Sequence, residues 1–366
     1  GQLMIRFFAL TIALAASSLA APLSAQPAAP TEITAPADQP WLHEPSNILF
    51  PAAIDRFART EVKDLSNGRL LDVSIAYDDP VAKTHTNFYV YHAAEPSTAL
   101  WFDVAATMIA TNSKFGTVTP QADPVAFAIP GATLASGLRQ SFSVTQLGRS
   151  SGVALIALGE WIVKLRMTSP VHDAAQLDAA MDRMIRQIGW PKTLPPLTAA
   201  TPFHACEKAR PFGPDAKKRK LDGAAVLLGA MAGKVDTDDR SKARDKGEVP
   251  APLALCIHSD RISGRLPIYQ GEKREDGYLI PLGDSGELLV VERDTLSGLL
   301  LGSNGPAPWS LTVKKHDKWL QYASYDAMPP PAQAILAVQS EHPVSVTTVY
   351  GKDNSITFSP DAIGDK

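Results

Sequence analysis

Three groups of residues in this sequence have side chains of the type that chemistry requires. The first centres on Ser285, in the run Gly283-Asp284-Ser285-Gly286. A serine becomes a nucleophile when a histidine takes its proton and an acid orients that histidine. His258 and Asp260 supply those types and share one face if their segment is extended. The second group is a polar sheet face. Trp161, Val163, Leu165 and Met167 alternate with Lys164 and Arg166, so a strand there turns both cations to one side. Arg139, Tyr89 and Tyr91 are expected to join them, giving a face that can dock an anionic ligand or a partner. A plain solvent-facing side of an antiparallel sheet would have the same composition. The third group is the pair Cys206 and Cys256, the chain's only two cysteines. In an oxidising compartment such a pair reads as a disulfide, and in a reducing one as two small buried thiols.

Other chemistries find little support. The His residues are scattered, and no Cys or His pair has the spacing of a zinc site, so no metal or other cofactor is expected. No glycine-rich phosphate loop precedes a helix. The formal net charge of −3 argues against a nucleic-acid binder, which usually carries a basic domain. The run Lys217-Lys218-Arg219-Lys220 can touch phosphate or an acidic partner, or can simply be a solvated loop. The serine run looks like the nucleophile segment of chymotrypsin-like proteases, and Phe203-His204-Ala205-Cys206 is similar to their histidine segment. Glu287 stands where a further glycine would be expected, and too little chain separates the two segments for the intervening strands. Asp-Ser-Gly between two β-rich runs is also ordinary turn chemistry.

The elements that must position these residues form two unlike halves, giving an α+β fold overall. Residues 41–190 predict an antiparallel sheet covered by helices, a sandwich. Its strands centre on 71–77, 87–91, 138–144, 153–158 and 161–167. A helix after Pro96 is capped by Ser97, and a closing helix spans 174–188. Residues 191–202, rich in proline, read as a linker. Residues 203–362 predict a second, β-rich α+β domain with a charged loop at 207–250. It includes hairpins around 283–286 and 315–317 and a helix opened by Pro329-Pro330-Pro331.

The start of the chain predicts export. Met4 is expected as the first native residue, with Gly1, Gln2 and Leu3 non-native. Arg6, the apolar run 7–15 and the small residues Leu23-Ser24-Ala25 make residues 1–25 a signal peptide. A first core helix is the alternative reading. Residues 26–40, rich in Pro, Ala and Thr, read as a flexible tether. No later apolar run approaches the about 20 residues of a membrane span, so no integral membrane segment is expected after signal removal. The expected location is the periplasm or the exterior.

The element order of 48–190 resembles the PsbP-like superfamily of exported sandwich domains. The residues that carry this are Gly68 before Val73-Ser74-Ile75-Ala76-Tyr77-Asp78, then Thr86-Asn87-Phe88-Tyr89-Val90-Tyr91, then a helix, three strands and an amphipathic helix. The resemblance implies a non-enzymatic binding or assembly-accessory domain. The leading expectation is therefore an exported binding protein whose partner is a protein or a small anionic ligand in the cell envelope. An exported hydrolase with its site in the C-terminal domain and a structural envelope module are the alternatives.

Overall fold

The computed structural model describes residues 29–220, 251–271, 277–294, 307–351 and 355–359, with scattered positions between 221 and 250. The expected signal peptide lies outside the described residues, as does part of the apolar patch at 224–231.

Alternation of apolar and polar side chains builds the first sheet. In chain order the elements are β1 (Thr31–Glu32), β2 (Trp41–His43), β3 (Ile48–Phe50), β4 (Ala53–Ile54), β5 (Phe57–Asp64), β6 (Asp72–Asp79), β7 (Thr84–His92), α1 (Thr98–Ala110), β8 (Val118–Pro120), β9 (Val125–Phe127), β10 (Gly137–Val144), β11 (Ser150–Leu158), β12 (Trp161–Ser169) and α2 (Ala174–Gln187). The sheet order is β1-β5-β6-β7-β12-β11-β10-β8, with β4 added on β5 and β9 on β10. β2 and β3 form a separate hairpin. Ser97 caps α1 by accepting from the Leu100 N–H. Asp173 and Gln176 close a capping box on α2.

The second sheet is a simple meander. It runs β13 (Leu255–Ile262), β14 (Leu266–Gly271), β15 (Tyr278–Pro281), β16 (Leu288–Arg293), β17 (Trp309–Lys314), β18 (Lys318–Gln321), β19 (Ser345–Thr348) and β20 (Ile356–Phe358) in sequence order, all antiparallel. α3 (Pro331–Ser340) packs Ala334 and Ala337 onto one face.

The described fold is therefore mostly antiparallel β-sheet with few helices, and the expected α+β sandwich is only loosely matched. Each helix buries its stripe against a sheet. Leu177, Met181 and Met184 of α2 pack with Leu165 and Met167 on one face of the first sheet. Leu100, Trp101 and Val104 of α1 pack with Val153, Leu155 and Ile162 on the other.

The same α1 cluster also takes in Tyr269, Leu288 and Val290 of the second sheet. The two sheets thus share apolar packing through α1, across the two domains that the sequence predicted. Polar contacts reinforce the junction. Tyr269 Oη donates to Asp103 Oδ2 of α1 at 2.6 Å. His92 Nδ1 donates to the His316 carbonyl, and His316 Nδ1 returns a bond to the His92 carbonyl. Arg69 is paired with Asp317.

Two segments read as loose connections are fastened. β1 pairs with β5, and Arg59 donates to the Pro36 and Gln39 carbonyls, so the expected tether is held from Thr31 onward. In the expected linker, Leu194 and Leu197 pack on the first core, and the Ala200 N–H bonds the Ala135 carbonyl.

Candidate functional site

The polar face of the first sheet is partly covered by a turn of the second sheet. β15 and β16 are joined by residues 282–287, and this turn lies on β7 and β12. Gly286 makes the approach possible. Its φ is +92°, and a Cβ there would stand 2.7 Å from Tyr91 Cδ2. Only glycine meets both demands without displacing the ring. The turn presents Asp284 to the sheet.

Lys164 receives it. Its Nζ donates to the Asp284 carbonyl at 2.7 Å and to Oδ2 at 2.9 Å. The ammonium lies 4.8 Å from the ring centroid of Tyr89 and 5.3 Å from that of Tyr91, so both rings face a cation. The Lys164 side chain is only 4% exposed. Burial pulls its pKa below the ordinary lysine value, and the Asp284 carboxylate opposes that shift. Burial keeps the Tyr91 phenol protonated, far above its usual range.

Beside this pair opens a cavity of about 380 Å³. Arg166, Asp72, Asn87, Tyr89 and Ser285 are among its lining residues. Among the described residues the Arg166 guanidinium has one carboxylate within 4 Å, Asp284 Oδ2 at 3.7 Å, which is beyond hydrogen-bond reach, and the Lys164 ammonium acts on it as a like charge. The Asp72 carboxylate is 8% exposed as a residue, and its nearest ionic partner is His316 Nε2 at 4.0 Å. Desolvation raises the Asp72 carboxyl from 3.8 to about 6, against the pull of His316 and Lys164. Tyr91 Oη and Asp284 Oδ1 are buried with no hydrogen-bond partner among the described residues.

Four of the five residues expected on the polar face come together here: Tyr89, Tyr91, Lys164 and Arg166. Arg139 does not join them. Strand register pairs it with Ala154, which pairs in turn with Leu165, so it lies on the opposite face. There its guanidinium bridges Asp178 and Asp182 of α2 at 3.0 Å each. Asp72 and Asp284 are the residues that sequence reasoning missed. Alternation in β6 does place Asp72 on the face of Ser74 and Ala76, but nothing local shows that a second sheet desolvates it.

The nucleophile set is dispersed. Ser285 lines the cavity, but His258 does not. His258 Nε2 donates to the Arg210 carbonyl, and its Nδ1 accepts the Asp260 N–H at 2.9 Å, so it serves its own segment. Asp260 Oδ2 is 3.8 Å from that ring. His85 reaches the cavity oriented by Asp78 at 2.7 Å, yet its Nε2 already takes the Asn87 amide. The basic run is pinned to the second sheet: Lys218 pairs with Glu341, and the Arg219 N–H bonds the Ser324 carbonyl.

Cys206 and Cys256 are joined, with Cα atoms 4.9 Å apart. The bond sits beside the bridge between Ala205 and Ile257, and so ties the chain leaving the linker to β13. No helix among the described residues is long and apolar enough to cross a membrane.

A larger cleft of about 730 Å³ runs between the linker and the start of α1. Its walls are mostly apolar, including Pro195, Pro196, Phe203 and Leu253. The smaller cavity carries buried, under-partnered charges, and those mark a site more sharply than volume does. Comparison with protein-family models, curated proteins and solved structures gives no match.

Proposed function

We propose that the chain is an exported, non-enzymatic binding protein whose ligand site is the polar cavity between the two sheets, and that the ligand bears an anionic group. Arg166 carries the reading. A guanidinium offers five N–H donors in a planar fork suited to carboxylate or phosphate. Here Arg166 lines a cavity, and the one carboxylate within 4 Å of its fork among the described residues is 3.7 Å away. The cavity volume lies in the usual range for small-ligand sites, about 300–1,000 Å³. The disulfide and the sequence of residues 1–25 support the exported location. The resemblance to the PsbP-like superfamily supports a binding role over a catalytic one. A hydrolase would need a base on Ser285, and both nearby candidates, Lys164 and His85, are engaged elsewhere.

Calorimetric titration and thermal shift with acetate, succinate and inorganic phosphate test this on the full chain. At least one anion is expected to bind and stabilise the wild type. At about 100-fold above Kd the stabilisation is about 2.7 kcal/mol. Arg166→Gln is expected to remove it while leaving the circular dichroism spectrum unchanged. Binding that persists undiminished in Arg166→Gln, or release of product from ester substrates by the wild type but not Ser285→Ala, would overturn the proposal.

A further inference from the structure

The charges around the cavity do not sum to an anion site alone. Lys164 and Arg166 face Asp284 and Asp72, two cations and two carboxylates. Lys164 pairs with Asp284 Oδ2 at 2.9 Å, which offsets one charge of each sign. That leaves one guanidinium and one carboxylate, each on the cavity wall and each without a hydrogen-bonded ionic partner among the described residues. A balanced site of this kind exerts little net pull on a dianion. It is complementary to a molecule that carries both signs on separate atoms.

The two groups spring from well-separated backbone positions. Asp72 is in register with Tyr91 and Ile162, and Arg166 lies four residues further along β12. At roughly 3.3 Å per residue and 4.8 Å per strand, their α-carbons are about 16 Å apart. Arginine's long side chain leans inward toward Asp284, which shortens the gap between the charged heads. In register Tyr89 lies between the two levels and Asn87 lies level with Arg166, and both line the cavity with Ser285.

We infer that the ligand is zwitterionic, presenting a carboxylate to Arg166 and a free ammonium to Asp72, as an amino acid or a short peptide with free termini does. This rests on the cavity being the ligand site. The state of Asp72 then governs the ammonium end. The charged groups that act on it are His316 from the turn between β17 and β18, Lys164 from β12, Asp64 at the end of β5 and Glu287 from the docked turn. Acidification through about pH 6 protonates the carboxyl and removes its hold on an ammonium.

The test is calorimetric titration of the full chain at neutral pH with matched probes. The zwitterions are the standard amino acids, Gly-Gly and Gly-Gly-Gly. N-acetylated forms remove the ammonium, and C-terminal amides remove the carboxylate. Free zwitterions are expected to bind at least about tenfold more tightly than either blocked form, the scale of one charge-assisted hydrogen bond. Asp72→Asn should erase the preference over the N-acetylated probe and leave binding of that probe intact, and Arg166→Gln should weaken all of them. The amino-acid and peptide arms show which length fits. If N-acetylated probes bind as tightly as free ones, or if Asp72→Asn leaves the preference untouched, the inference is wrong and the cavity remains an anion site. If no probe binds in any arm, and acetate, succinate and phosphate also fail, the cavity is not the ligand site.

Discussion

Asp72→Asn is expected to make the protein more stable, and only above a particular pH. The wild-type carboxyl is raised from 3.8 to about 6 by desolvation. A folded-state pKa above the unfolded value means that the folded state resists ionisation. The resulting penalty is absent at low pH, grows as pH rises through the window between 3.8 and about 6, and is constant above it. At about 1.4 kcal/mol per pKa unit, the full penalty is roughly 3 kcal/mol. The amide of asparagine also wants partners, so the realised gain near pH 7.5 should be about 1–3 kcal/mol. Near pH 4 it should be lower by about 2.5 kcal/mol, because the amide's own cost is the same at both pH values. Urea unfolding followed by circular dichroism at both pH values measures the difference. An equal effect at the two pH values, or destabilisation near pH 7.5, would refute the claim that Asp72 is held against its ionisation. The variant is also the one expected to lose ammonium binding, so stability and recognition move in opposite directions at one residue.

Removing Asp284 strands a buried ammonium, so Asp284→Ala should destabilise by about 3 kcal/mol, the low end for a broken buried pair because the backbone carbonyl and two tyrosine rings remain. Lys164→Met should cost less, about 1–3 kcal/mol, since the Asp284 side chain is 18% exposed against 4% for Lys164 and keeps Arg166 nearby, and denaturant midpoints of the two variants check that asymmetry. Opening the Cys206–Cys256 loop, with its sequence separation of 50, should lower stability by about 4 kcal/mol in the chain-entropy account, read as a lowered urea midpoint in Cys206→Ser/Cys256→Ser. Gly286→Ala should cost at least about 1–2 kcal/mol through the tyrosine contact and the left-handed backbone, and a normal midpoint would show that the turn does not dock on β7.

Much of the site's composition was legible in the sequence, and its enclosure was not. The alternation in β12 put Lys164 and Arg166 on one face because a strand's period is two, whatever the strand packs against. The hairpin at 283–286 was legible because turn residues act locally. Arg139 was grouped with the wrong face because the parity between strands depends on register, which is fixed by turns and pairing rather than by composition. Asp72, Asp284 and His316 meet only through long-range docking of the two sheets, and no short window of sequence encodes that. β1 escaped notice for a simpler reason: two paired residues have no period to detect.

The reciprocal bonds between His92 and His316 carry a constraint on tautomers. A carbonyl oxygen can only accept, so the hydrogen on each ring must sit on Nδ1. Neutral imidazole meets this with one of its two forms, and imidazolium meets it automatically, since both nitrogens then donate. The other ring nitrogen, Nε2, then faces a carboxylate in each case, Glu160 for His92 at 3.8 Å and Asp72 for His316 at 4.0 Å. Each sheet therefore fixes the ring form of a histidine on the other, so the junction sets hydrogen positions as well as packing.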